Sequence, residues 1–279
     1  MNMPPTRKTP TGSGKKRYSK SGKRKKPRKK VVKMRVGFVL ATALALLLSL
    51  ILFPLFRKEG SAESGAKIPA GNWRYGIDIS HNNDGTIIWD SLWVMTDRRR
   101  RTVRDPYKAK EIKPVSFVFI KATEGATFKD RDFAENWKNA GRSGLRRGAY
   151  HFFRSSKDGE VQAKHFIATV GDLRFEDLPP VLDIETLHRG GSRKLLNERA
   201  LQWLETIENH YRKKPIVYTG ASFLKNYLST EITERYPIWI AHYEKDSPDF
   251  EGWTWWQCTD KAVVAGVPGR VDLNLMRIE

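Results

Sequence analysis

Two acidic residues, Asp183 and Glu185, stand one residue apart in the apolar segment PVLDIE. Alternate side chains of a strand point to the same face, so a strand here would carry both carboxyl groups on one side, roughly 6.6 Å apart along the backbone. Desolvation and mutual repulsion would raise the pKa of one carboxyl, leaving a proton donor beside a persistent anion. Such a pair suits hydrolysis of a glycosidic bond. Taken alone it is a weak indication, because exposed strands carry it by chance.

Two further acids, Asp78 in YGIDIS and Asp272 in RVDLN, lie near the C-terminal ends of other strand-like segments. Each one taken singly is typical of a turn or a helix cap. In a β/α barrel, however, the C-terminal ends of the strands build the active face. We therefore expect four carboxyl groups, these two with Asp183 and Glu185, to converge from the first, fourth and eighth strands.

The chain that must position these acids alternates between strand-like and helix-like segments. The strand candidates are short, rich in β-branched and aromatic residues, and mostly bounded by Gly or Pro; they are Tyr75–Ser80, Ser116–Thr123, Arg147–Phe153, Pro180–Glu185, Pro215–Thr219, Pro237–Tyr243, Thr254–Cys258 and Arg270–Leu273. Helix candidates lie between the first five strands, at 132–140, 159–170 and, most clearly, 192–211. This α/β alternation predicts a parallel sheet, and eight strands predict its closure into a barrel.

An insertion at 93–114, which contains DRRRRTVRD, follows the first strand candidate. A loop of this length in a compact domain is usually functional or disordered. If it lies near the active face, its arginines could grip an anionic part of a substrate. The interpretation that we favour is a solvated, charged excursion.

The formal charge of +20 is concentrated at the N-terminus. Residues 1–57 carry 16 Lys and Arg and no acid, which leaves 35 basic against 31 acidic residues in the remainder. Residues 1–35 lack apolar periodicity and are predicted to be a disordered basic tail. The tail lacks interleaved aromatics apart from Tyr18, so we expect contact with anionic lipid rather than specific binding of nucleic acid.

Residues 36–56 form an uncharged stretch of 21 residues. At about 1.5 Å per residue it spans roughly the 30 Å hydrocarbon core of a bilayer, so it is predicted to be a transmembrane signal-anchor. The basic flank favours a cytoplasmic N-terminus, which exports the rest of the chain. We divide that rest into a linker, 57–72, and a barrel, 73–279.

Cysteine and histidine content narrows the chemistry. The single cysteine, Cys258, excludes an internal disulfide framework and is interpreted as an inert core thiol. No spacing favours a metal site or a cofactor. His81 and His151 are expected to be structural or to lie at the rim of a site rather than to act in catalysis.

Eight ordered blocks, YGIDISH, FVFIKATEG, GAYHFF, PPVLDIE, PIVYTG, PIWIAHY, WTWWQ and GRVDLN, together resemble the conserved blocks of family 25 glycoside hydrolases. The resemblance covers essentially all of residues 73–279. It implies a (β/α)5(β)3 TIM-like barrel that acts as a lysozyme, or N-acetylmuramidase, on the glycan strands of peptidoglycan. The chain departs from the family where Asn82-Asn83-Asp84-Gly85 replaces the usual Gln-Gly pair.

The resemblance also implies roles for individual residues. Glu185 corresponds to the general acid, and Asp183 to the partner that orients the substrate's N-acetyl group or stabilises charge. Asp78 and Asp272 correspond to the remaining two active-site carboxyls. The other expected members of a saccharide groove are Tyr150, Tyr218, Trp239, Gln257 and Glu124.

Three functional hypotheses follow from these observations. The first is a membrane-anchored hydrolase that cleaves the β-1,4 bond between N-acetylmuramic acid and N-acetylglucosamine outside the cytoplasmic membrane. The second is a catalytically inactive tether between membrane and peptidoglycan, which the presence of all four acids disfavours. The third is a nucleic-acid-associated membrane protein, which would require a cytoplasmic barrel.

Overall fold

The computed structural model describes residues 65–83 and 85–278. Within these two ranges no helix has both the length and the apolar character needed to span a bilayer. The predicted basic tail, the predicted span at 36–56 and the first part of the predicted linker lie outside the described residues, so those three assignments stay predictions.

Eleven strands and five α-helices form within the described residues. The strands are β1 Trp73–Ile79, β2 Trp93–Thr96, β3 Thr102–Val103, β4 Glu111–Glu124, β5 Phe128–Lys129, β6 Arg146–Phe152, β7 Val181–Asp183, β8 Ile216–Gly220, β9 Ile238–Ala241, β10 Trp253–Ala262 and β11 Val271–Arg277. The helices are α1 Phe133–Arg142, α2 Gly159–Val170, α3 Arg193–Tyr211, α4 Ala221–Tyr227 and α5 Thr230–Arg235.

Eight of the strands close into a barrel in the order β1-β4-β6-β7-β8-β9-β10-β11, and β11 returns to β1. Neighbours from β1 to β10 are parallel. The last strand, β11, is antiparallel to both β10 and β1. The predicted eight-stranded barrel is therefore confirmed, but the sheet is not parallel throughout.

The helices follow β5, β6, β7 and β8, and two of them begin at side-chain caps. Asp158 accepts a hydrogen bond from the backbone of Val161 at 2.9 Å to start α2. Ser192 does the same for Leu195 at 3.1 Å to start α3. The face predicted for α3 is buried, at Leu196, Ala200, Trp203, Leu204 and Ile207.

Large aromatic side chains fill the inside of the barrel. Phe119 stacks on Trp239 with ring centroids 4.4 Å apart, and Trp255 meets Phe119 edge-on. Gly148 gives this packing its room, because a Cβ there would lie 2.5 Å from the Phe119 ring. A separate apolar layer lies between the strands and the helices, with Trp203 of α3 fully buried in it. The interior aromatics thus form a solid floor beneath the strand ends.

The insertion at 93–114 is an ordered structure rather than a solvated excursion. Strand β2 pairs antiparallel with β3 and with the beginning of β4. The backbone of Gly65 donates to Thr102 at 2.7 Å, and Ile68 donates to Arg100 at 2.8 Å, so the segment 65–68 adds to this small sheet. No α-helix lies between β1 and β4 among the described residues, which departs from the (β/α)5(β)3 pattern that the family resemblance implies.

A buried ion pair ties β6 to the loop that precedes β7. The Arg147 Nε lies 2.8 Å from Asp177 Oδ1, and both side chains are almost fully buried. The same guanidinium lies over the Trp137 ring of α1, 4.0 Å from its centroid. A buried charge held by one partner depends strongly on that partner.

We expect Asp177→Asn to lower the free energy of unfolding by about 3–5 kcal/mol, because the substitution leaves the Arg147 charge buried without a counter-charge. Chemical denaturation followed by tryptophan fluorescence measures the change. The control is Lys164→Gln, which breaks an exposed pair with Glu160 and should change stability little. Equal stability of the two variants would contradict the role assigned to the buried pair.

Candidate active site

One pocket of about 280 Å³ lies where the barrel strands end. All four predicted acids line it, together with six other side chains from β4 to β10 and three residues that follow β1. These neighbours are Lys121, Tyr150, Phe152, Tyr218, Trp239, Gln257, Ser80, Asn82 and Asn83. The strand ends therefore bring together acids that are up to 194 positions apart in the chain, from Asp78 to Asp272.

Asp78 is held from three sides. Gln257 Nε2 and Asn274 Nδ2 each donate to its Oδ2 at 2.8 Å. Asp272 lies directly opposite it in the pairing of β1 with β11. Burial raises the pKa of Asp78, and the hydrogen bonds from Asn274, Gln257 and Asp272 oppose that rise by stabilising the anion.

Asp272 was expected at the C-terminal end of its strand, and this placement is wrong. It is the second residue of β11, which begins at Val271. Because β11 runs antiparallel to β1, the start of β11 lies beside the end of β1. Burial and the charge of Asp78 raise the pKa of Asp272 to about 9. Asp272 therefore carries a proton at neutral pH and shares it with Asp78.

Asp183 ends β7, and Glu185 lies just beyond the strand, so the predicted strand at 180–185 is shorter than expected. Asp183 is buried, and its Oδ1 has no hydrogen-bond partner. Burial, followed by the charge of Glu185, raises the pKa of Asp183 well above its usual range. Glu185 is the more exposed of the two. Loss of solvent around its carboxyl and the charge of Asp78 raise its pKa as well.

The crowding of acids is therefore wider than the sequence pattern indicated. The pattern predicted one raised pKa within the pair Asp183 and Glu185, whereas the structure raises the pKa of all four carboxyls. Because the pKa of Asp272 is raised to about 9, the group holds at least one proton at neutral pH.

The aromatic residues expected in a groove do line the pocket, but two of them are largely fixed by neighbours. Tyr218 donates to Gln257 at 2.8 Å, and Trp239 donates its indole N–H to Asn274 at 2.9 Å. Trp239 is only 2% exposed, so it belongs to the barrel floor as much as to the pocket. Burial and nearby acids raise the pKa of Tyr150 and Tyr218, which keeps both hydroxyls protonated.

Glu124 does not line the pocket, in contrast to the expectation for it. Its Oε2 accepts from Lys121 Nζ at 2.8 Å, and its other oxygen pairs with Arg154. Although burial opposes them, the hydrogen bonds and charges of these two cations lower the pKa of Glu124. Glu124 is thus an anion that holds Lys121 beside the pocket.

Two residues that the sequence interpretation missed contribute to the site. Lys121 is the one cation among the described residues that line the pocket, and its charge partly opposes the rise in the pKa of Asp183. Asn274 binds both Asp78 and Trp239. The signal for both was strand alternation: Lys121 shares its face with Phe119, and Asn274 lies two residues after Asp272.

Neither of the two histidines considered above lines the pocket. His151 is fully buried and bonds Thr123 at 2.7 Å and Gln162 at 3.2 Å. Burial lowers the pKa of His151 to about 3, so it stays neutral. His81 binds Asp130 at 2.6 Å. Both histidines contribute to structure, as expected.

A closed barrel with carboxyls of raised pKa grouped at one edge of its strands is the arrangement of a glycoside-hydrolase barrel. Comparison with known proteins identifies the family. The model of glycosyl hydrolases family 25 matches residues 77–267. The chain belongs to this family and is a glycoside hydrolase.

Individual relatives agree with this assignment. The uncharacterized protein YegX of Escherichia coli K12 is 40% identical over 212 residues, which are 75% of this chain and 71% of YegX. Lysozyme M1 of Streptomyces globisporus is 32% identical, over 71% of this chain and 66% of its own. The crystal structure of a bacterial lysozyme from Streptomyces coelicolor superposes with a TM-score of 0.62 at 31% identity, covering 74% of this chain and 92% of that one.

We expect Asp272→Asn to stabilise the protein increasingly as pH rises. The folded pKa of Asp272 lies near 9, above the value of about 4 in an unfolded chain, so its contribution to stability is present below pH 4 and is lost as pH rises towards 9. Asn cannot titrate. Denaturation curves at pH 5 and pH 9 give the free energies of unfolding of the variant and the wild type. Between these two pH values, the difference in that free energy should change by more than about 1 kcal/mol in the variant's favour.

The matched control is Asp90→Asn at an exposed position outside the pocket. Its stability difference from wild type should be the same at both pH values. If the Asp272 variant behaves like this control, the Asp272 carboxyl is not the buried, protonated group described above.

Proposed function

We propose that this enzyme hydrolyses the β-1,4 bond between N-acetylmuramic acid and N-acetylglucosamine in peptidoglycan. The observation that carries the proposal is the pairing of an accessible acid, Glu185, with a buried acid, Asp183, whose Oδ1 has no partner within the described residues. Relatives named lysozyme, from Streptomyces and from Clostridium acetobutylicum, support peptidoglycan as the substrate class.

Glu185 is proposed as the proton donor. It lies at the open side of the pocket, where a leaving sugar has room, and its raised pKa favours the protonated form that a general acid needs. Glu185 gives its proton to the glycosidic oxygen as the bond from that oxygen to the anomeric carbon breaks. Water then adds to the anomeric carbon and returns a proton to the Glu185 carboxylate, which restores the acid.

Asp183 is proposed as the partner that handles the N-acetyl group or the developing positive charge. Its Oδ1 is a buried acceptor without a donor, and an amide N–H of a bound N-acetyl sugar would satisfy it. Lys121, held by Glu124, favours the anionic form of Asp183 when a substrate excludes water. The pair Asp78 and Asp272 would then hold the remaining proton and limit the total negative charge.

We further propose that the enzyme is anchored by residues 36–56 with its barrel on the outer side of the cytoplasmic membrane. The support lies in the sequence alone: 21 uncharged residues follow a basic flank without acids. Peptidoglycan lies on that side, so the proposed location and the proposed substrate agree.

We expect Glu185→Gln to reduce the release of muropeptides from purified peptidoglycan by at least about 100-fold, the lower end of what a general acid contributes. Mass spectrometry of the products reports both the bond that is cut and the new reducing end. The control is Glu160→Gln, at an exposed position of α2 outside the pocket, which should keep wild-type activity. Rapid turnover by a folded Glu185→Gln variant would refute its assignment as the acid.

We expect an alkaline phosphatase fused after residue 279 of the full chain to be active in a bacterial host. Phosphatase folds only after export, so activity places the barrel outside the membrane. A β-galactosidase fusion at the same point, which needs the cytoplasm, is the matched control and should be inactive. The reverse pattern would place the barrel in the cytoplasm and exclude this location.

A further inference from the structure

A second and larger cleft, of about 660 Å³, is linked to the carboxyl pocket by a hydrogen bond between one lining residue of each. Tyr243 lies in its wall, and the Tyr243 hydroxyl donates to Gln257, which lines the carboxyl pocket. The proposed mechanism does not use this cleft. Its volume is within the range of about 300–1,000 Å³ that is typical of ligand sites.

Charged side chains of both signs line the cleft. Four are cations, from Lys67, Arg101, Lys245 and Lys261, and three are anions, from Glu244, Asp246 and Asp260. Within the described residues, Lys245 and Asp246 have no ion-pair partner, and Lys261 reaches Glu244 only at 4.0 Å. Neutral N-acetyl sugars bind through flat apolar faces and amide hydrogen bonds. A cleft with unpaired charges of both signs fits a ligand that carries both charges.

Part of the cleft is built from segments outside the eight-stranded barrel. The segment 65–69 precedes the part of the chain that the family model matches, and Arg101 belongs to the insertion at 93–114. Ala66 donates to the backbone of Lys261 at 3.1 Å, which fixes the segment 65–69 against the end of β10. The ordered insertion therefore has a structural consequence, because it adds Arg101 to the lining that 65–69 provides.

Another part of the lining, residues 243–246, is a loop under backbone strain. Glu244 has a φ of 56°, in the left-handed region that residues other than Gly seldom adopt. Strained backbone of this kind is found preferentially at binding sites, where the surrounding structure maintains it. Here it sets the course of the loop that presents Glu244, Lys245 and Asp246 to the cleft.

We propose that this cleft binds the peptide stem of peptidoglycan, a short peptide with free carboxylates and a free amine that is attached to the lactyl group of the muramic acid. The inference rests on the proposed function, because it assigns the stem of the same substrate whose glycan enters the carboxyl pocket. Lys245 would pair with a carboxylate of the stem, and Asp246 would pair with its amine, because neither of these two side chains has an ion-pair partner within the described residues.

The experiment measures binding to the full chain carrying Glu185→Gln, so that a ligand is not consumed. The two ligands are the disaccharide of N-acetylglucosamine and N-acetylmuramic acid, and the same disaccharide with a tetrapeptide stem. We expect the stem to tighten binding about ten-fold, the equivalent of two or three modest ion pairs. The added substitutions Lys245→Gln and Asp246→Asn should reduce the ratio of the two affinities to about one.

The matched control adds Glu160→Gln and Lys164→Gln, which neutralise an exposed charge pair on α2, and should keep the ratio near ten. A ratio near one in the parent chain, or a ratio that survives in the Lys245 and Asp246 variant, would overturn the assignment of the cleft. Hydrolysis of stem-free glycan strands by the wild-type chain is measured separately. If the wild-type chain does not hydrolyse these strands, the proposed reaction is refuted. The binding ratio still tests whether the cleft binds the peptide stem.

Discussion

The site depends on the direction of one strand. Because β11 runs antiparallel between two neighbours that run the other way, its first residues lie at the edge where the other strands end. Asp272 therefore lies opposite Asp78, and Asn274, two residues further on, projects to the same face and binds Asp78. A parallel eighth strand would place the same residues at the other end of the barrel. The pairing of β11 with β1 therefore both closes the barrel and brings Asp272 to Asp78.

The aromatic floor explains why these acids hold protons. Phe119 and Trp239 stack directly beneath the pocket, and Trp239 is linked through Asn274 to Asp78. Such a floor removes solvent from the inner side of each carboxyl, and burial is the largest cause of every raised pKa in the group. The packing that stabilises the barrel therefore also destabilises the charges at its mouth. The burial that raises the pKa of these carboxyls therefore also lowers the stability of the folded state at this site.

Sequence patterns predicted the eight barrel strands, the buried face of α3 and the four acids, because apolar alternation and residue type are local properties. The antiparallel sense of β11 could not be predicted in this way, since it depends on which edge the strand pairs with. Glu124 matches a groove position in the sequence, but its ion pairs with Lys121 and Arg154 depend on the folded structure and could not be predicted from residue type. The regular structure of the insertion could not be predicted from its sequence either. Its strands β2 and β3 pair with β4 and with residues 65–68 as well as with each other.

The division of the chain into barrel and additions has a physical basis. Within the barrel, each residue at the mouth is constrained by two neighbouring strands and by the floor, so a change at Asp78 or Asn274 disturbs several hydrogen bonds at once. The small sheet of 65–68, β3 and β2 joins the barrel mainly through backbone hydrogen bonds, which place few demands on side chains. Its exposed side chains, including Arg101, can therefore vary without cost to the acids.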